Sequence, residues 1–168
     1  MKTQIDNDIK TKIKKVLQEV TISTFEDICF MYTAPELEDV QKNLKLEAAA
    51  EAKYRGDYTG KLLVEIRGGL LSAIAANILS NDAPSSRQKK DALGEIANII
   101  CGNVVISLGR SGRGSKIESP RYLNKDELLK EEGKCIPLAE VTLNFKEGRA
   151  DIKFFVDGYS AAEENNRD

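Results

Sequence analysis

The chain contains no histidine. That removes the commonest general base, the commonest metal ligand and every histidine-dependent triad. Any catalysis must then run on carboxylates, amides and hydroxyls, or on groups lent by a partner. Cysteine is scarce too: Cys29, Cys101 and Cys135 form an odd, widely spaced set. Such a set makes neither a disulfide framework nor a zinc site, and reads as reduced thiols in a cytoplasmic protein. Neither sign of charge dominates, with 25 basic against 27 acidic residues and a net charge of −2. Bulk attraction to nucleic acid or to an anionic membrane is therefore not expected. No uninterrupted apolar run reaches the roughly 18 residues of a membrane span. The opening MKTQIDNDIKTKIKK has no apolar stretch behind its charges, unlike a secretory leader. What remains, 168 residues with 41% hydrophobic and 31% charged, is the composition of a soluble globular domain. One domain is expected, with a core over about 6–157 and a frayed tail over 158–168.

Ile9, Ile13, Val16, Leu17, Val20 and Ile28 recur at helical spacing between about Asp6 and Met31. Asp6, Asn7 or Asp8 is the candidate cap, and the β-branched stretch Thr21–Phe25 is a candidate break. Two strands follow: a weak one over Ala48–Tyr54, and Tyr58–Ile66, where Leu62, Val64 and Ile66 alternate with Lys61, Leu63 and Glu65. Gly68-Gly69 breaks to a helix over about Leu70–Ser80 that is apolar nearly all round, as buried helices are. Ser85 with Gln88 fits a capping box and opens a helix to about Leu108. Ile136–Phe145 and Arg149–Val156 read as a hairpin across Lys146-Glu147-Gly148. Each half thus offers a long helix followed by a strand pair, which points to an internal duplication. The predicted class is α+β, with long helices packed on one face of a mostly antiparallel sheet.

The third helix is the informative one. At about 100° per residue, Leu93, Ile96, Ala97, Ile100, Cys101, Val104 and Leu108 share one side. Asp91, Glu95, Asn98 and Gly102 form a narrow stripe on the other. The ordinary reading of a polar stripe is a solvated face. Two details weigh against it. Asn98 is a poor helix former in mid-helix, and Gly94 and Gly102 each cost up to ~1 kcal/mol relative to Ala. Small residues around Asn98 would let another surface come close.

The spacing Asp91-x3-Glu95-x2-Asn98, with Pro120 after 21 intervening residues, resembles the signature of the CheC/CheX/FliY phosphatase family. DALGEIANIICGNVVISLG is similar to that family's motif helix, and YTGKLLVEIRGGLLSAIAANIL to the segment before it. The resemblance covers roughly residues 10–157 and implies a CheC-like fold. It also implies hydrolysis of the aspartyl-phosphate on a CheY-like response-regulator receiver. On that resemblance Glu95 and Asn98 are the catalytic pair: Asn98 positions the attacking water and Glu95 docks to the receiver's lysine. Asp91 would extend the docking contact and Pro120 would shape the adjoining loop, both on the substrate-binding side. The Mg²⁺ would be the receiver's, with no metal or cofactor resident in this chain. Two-site members repeat E-x2-N in the first helix. Here Glu26 is followed by Cys29 where the amide belongs, so Glu26 and Cys29 read as packing or surface residues. A single intact motif is closest to CheX and implies a homodimer. The alternative is a non-catalytic receiver-binding or flagellar-switch module, as in FliM-like relatives without the pair.

The remaining features have plainer readings. Gly109–Lys116, GRSGRGSK, lacks the order and flanking elements of a phosphate loop and reads as a surface loop. Its three positive charges could steer an acidic receiver face. Lys10, Lys12, Lys14 and Lys15 read as a solvated face, and Cys101 as core.

Overall fold

The computed structural model describes residues 3–109 and 114–160. The centre of the glycine- and arginine-rich loop, 110–113, and the tail beyond 160 lie outside the described residues.

Helix α1 spans Asn7–Asp27, capped by Asp6, whose carboxylate accepts the Ile9 N–H at 2.8 Å. It does not break at Thr21–Phe25. The Thr21 and Thr24 hydroxyls donate to the Leu17 and Val20 carbonyls at 2.6 and 2.8 Å, satisfying themselves inside the helix. A short 3-10 turn, Pro35–Leu37, and the one-turn helix α2, Glu38–Gln41, lead to strands β1, Leu46–Arg55, and β2, Thr59–Gly68. Helix α3 is Leu70–Leu79 and helix α4 is Ser86–Leu108. Strands β3, Lys116–Ile117, and β4, Arg121–Leu123, precede helix α5, Lys125–Glu132. The chain closes with the hairpin β5, Ala139–Phe145, and β6, Gly148–Val156.

All strand pairs are antiparallel, in the order β3-β1-β2-β6-β5, with β4 also on β1. The class is α+β, as the alternation and helix periods predict. The order β1-β2-β6-β5 places two hairpins back to back across β2 and β6. Helix α1 packs over β5 and α4 over β1, so each long helix covers the other half's hairpin. The duplication suggested by the sequence is therefore a spatial one.

Helices α1, α3 and α4 share one face. Ala48, Ala50, Ala52 and Tyr54 of β1 meet Leu93, Ile96, Ile100 and Val104 of α4 in the main core. Alanine is a weak strand former, yet β1 is paired along both edges, and its small side chains let α4 lie close. The Cys101 Sγ is 3.8 Å from the Ala52 carbonyl oxygen, to which it donates. Helix α3 is buried only along Leu70, Leu71, Ile74 and Ala75, and Leu79 is exposed, so it is half-buried and not enclosed. By length and composition α4 is apolar enough to cross a membrane, but half of that stretch is packed inside the molecule.

The other sheet face is not left to solvent. Helix α5, which the sequence reading missed, covers Ala49, Leu63 and Phe155 with Leu128, beside Leu123 of β4. It also brings carboxylates to the buried charges of that face. Lys61 donates to the Glu131 carboxylate at 2.6 Å, and Lys153 to Glu132 at 2.6 Å, with Glu65 3.0 Å from Lys153.

Candidate functional site

Helix α4 starts at a complete capping box, in which Ser85 accepts the Gln88 N–H and the Gln88 side chain accepts the Ser85 N–H. Its apolar side sinks into the main core, from Leu93 and Ile96 to Leu108. Burying such residues is worth roughly 1.5–3 kcal/mol each, so the helix cannot rotate, and the opposite stripe is fixed outward. Asp91 and Glu95 are exposed and Asn98 is half-buried.

The stripe borders a cleft of about 720 Å³. Lys90, Asp91, Gly94, Glu95, Asn98 and Ile99 form one wall; Pro120 and Tyr122 form the other. All four residues singled out from the sequence, Asp91, Glu95, Asn98 and Pro120, thus meet in one place. The far wall exists because Gly94 has no side chain: a Cβ there would stand 3.1 Å from Pro120 Cγ. The surface that approaches at Gly94 is the chain's own proline. At Gly102 nothing lies within 4 Å of an added Cβ, so that glycine answers no internal contact.

Strand alternation holds the Pro120–Tyr122 wall in place. Arg121 pairs with Glu51 across β4 and β1 and turns to the opposite sheet face. Its guanidinium lies 3.3 Å from the Glu51 carboxylate and 3.8 Å from that of Glu131. Tyr122 turns back toward α4, where the Lys90 ammonium sits 4.8 Å from its ring centroid.

Asn98 Oδ1 is buried and accepts no hydrogen bond. Among the described residues Gln41, Glu51, Glu65 and Asn144 also carry a buried oxygen without a hydrogen-bond partner; Asn98 differs from them in lining the cleft. A turn about its soft terminal torsion would carry that oxygen to the cleft. Cys29 and Cys101 are sealed in the core, and burial pushes both thiols up to about 12. Cys29 is fully buried in the position where a second motif would need its amide, and its carbonyl accepts from Asn77 Nδ2 at 2.7 Å, tying the end of α1 to α3. Glu26 is half-buried. Among the described residues, no three of the acidic and thiol side chains gather as a metal site would require.

Sequence reasoning missed Lys90, Ile99 and Tyr122. Tyr122 was visible only as the residue two beyond Pro120, which a strand would place on the same face.

Comparison with known families decides the kinship. The pattern of the family described as chemotaxis phosphatase CheX matches residues 49–139, from β1 to the start of β5 and including all of α4 and Pro120. The chain belongs to the CheX family. A sequence comparison with curated proteins gives no match. Among solved structures, CheX from Desulfovibrio desulfuricans is 15% identical, with a TM-score of 0.61 over 87% of this chain and 99% of that one. CheX from Vibrio vulnificus is 16% identical, with a TM-score of 0.59 over 86% and 95%. The CheX–CheY–BeF3–Mg complex from Borrelia burgdorferi matches at 13% identity, with a TM-score of 0.60 over 84% and 96%. At such identity the likeness is one of fold, and this CheX-family chain shares it almost end to end.

Proposed function

We propose that this protein hydrolyses the aspartyl-phosphate of a CheY-like response-regulator receiver, with α4 inserted against the receiver's active site. The observation that carries the reading is the half-buried Asn98 carboxamide beside the exposed carboxylate of Glu95 on the wall of a two-walled cleft. An acyl phosphate is already reactive, and the receiver brings its own Mg²⁺ and charges. The missing element is a water held in line with phosphorus, and positioning of this kind is the main task in phosphoryl transfer. An amide is suited to it, since it accepts from the water and donates to its neighbours. This chemistry asks for no histidine.

Glu95, one turn before Asn98, is assigned to the receiver's lysine and so to docking and alignment. Asp91 extends that contact by a further turn, and Pro120 supports it by packing on Gly94. The buried Cys29 leaves one such site per chain. The complex of a similarly folded CheX with CheY supports the choice of partner. A homodimer is part of this reading.

The test is phosphate loss from a phosphorylated receiver, wild type against Asn98→Ala. A folded Asn98→Ala variant with full activity would refute the water-positioning role. Binding without turnover in the wild type would favour the receiver-binding module.

A further inference from the structure

The cleft holds two carboxylates, Asp91 and Glu95, and one cation, Lys90. Lys90 is exposed, and no carboxylate lies within ion-pair distance of it among the described residues. Its ammonium rests on the Tyr122 ring, 4.8 Å from the centroid. A cation over an aromatic face is held by the ring quadrupole and keeps its N–H donors available to a partner. Tyr122 in turn is held by β4, which the Arg121–Glu51 pairing fastens to β1. The side chain of Lys90 is therefore aimed, unlike a lysine on an open helix.

Its position decides what it can do. Lys90 precedes Asn98 by eight residues, a rise of about 12 Å along the helix. Helical side chains lean toward the N-terminus, which carries the ammonium further away. It cannot reach a phosphorus held at Asn98. It sits on the flank of the stripe nearest β4, about 100° round the helix from Asp91, where a docked surface would meet the cleft's rim.

We infer that Lys90, held over Tyr122, is a docking cation that pairs with a carboxylate on the phosphorylated partner and sets affinity without touching the reacting group. This rests on the phosphatase reading. A contact made equally in the ground and transition states moves KM and leaves kcat alone. A rim charge also makes association depend on ionic strength.

The experiment is steady-state dephosphorylation of a CheY-like receiver charged with acetyl phosphate, at salt from about 0.1 to 1 M, where the Debye length falls from ~10 to ~3 Å. Lys90→Gln should raise KM about 5- to 10-fold at low salt with kcat unchanged, and the difference should vanish at high salt. Tyr122→Leu should raise KM in the same direction, and Tyr122→Phe, which keeps the ring, should restore it. A Lys90→Gln variant with wild-type KM, or with a lower kcat, overturns the inference while leaving the phosphatase reading intact. A wild-type protein that leaves the receiver's phosphate untouched sinks both.

Discussion

Gly94 and Gly102 lie in the interior of one helix, two turns apart, and the same substitution at each should have different results. Replacing Gly by Ala in a helix interior gains about 0.8–1 kcal/mol of propensity. At Gly102 the added methyl meets nothing within 4 Å, so the full gain should appear. For a chain of this size ~1 kcal/mol corresponds to about 2–4 °C in Tm. At Gly94 the methyl would stand 3.1 Å from Pro120 Cγ and 3.4 Å from Pro120 Cβ, where comfortable contact is about 3.5–4.0 Å. The proline cannot simply retreat. Its ring fixes φ, and the next residue is registered on Glu51 of β1 and paired with its carboxylate. Overpacking of this kind costs about 1–3 kcal/mol, which cancels or exceeds the propensity gain. Urea unfolding should therefore place Gly102→Ala about 1–3 kcal/mol above Gly94→Ala at equal m. Equal stabilisation by both would mean that Pro120 does not press on α4, and the second wall of the cleft would be lost with it. The pair also bears on function: if the stripe is a docking face, Gly102→Ala should weaken receiver binding while making the fold more stable.

Two further predictions concern charge. Glu95→Ala should leave the unfolding midpoint within about 0.5 kcal/mol of wild type, because the side chain is exposed, and should weaken receiver binding; unchanged binding would remove its docking role. Glu65, buried against Lys153 and Glu132, is pushed up to about 7, first by burial and then by its hydrogen bond to Glu132. A carboxyl that binds its proton more tightly when folded gives its full stability below its unfolded value of 4.5 and loses it as pH rises to about 7. Glu131, held down to about 2 by Lys61 and Lys134, acts in the opposite sense and only below 4.5, so the two windows do not overlap. Glu65→Gln should flatten the fall in stability between those values; an unaltered slope in that range would show that Glu65 does not carry the proton.

Much of this architecture was legible because local and global signals agreed. Ser85 and Gln88 mark the start of α4, and its apolar positions fix which side is buried, so the outward stripe of Asp91, Glu95 and Asn98 follows from spacing alone. The two hairpins were visible for the same reason. What stayed hidden depended on partners far along the chain. Lys61, Glu65 and Lys153 lie on the sheet face away from the long helices, covered by α5, whose Glu131 and Glu132 supply the opposite charges. Strand β4 is three residues long, too short for alternation to declare itself. With it went Tyr122, and with Tyr122 the aim of Lys90. Pro120 was placed near the site by the family signature; its contact with Gly94 emerges only in three dimensions.

The central claim is that Asn98 positions the water and does little else. Asn98→Ala replaces a poor helix former and removes a buried, unpartnered oxygen, so the variant should be at least as stable as wild type. Measured in single turnover on a phosphorylated receiver, its rate should fall by about tenfold or more. Its affinity for a beryllofluoride-charged receiver should stay within about twofold of wild type. A variant that binds normally and hydrolyses at the wild-type rate would contradict the account.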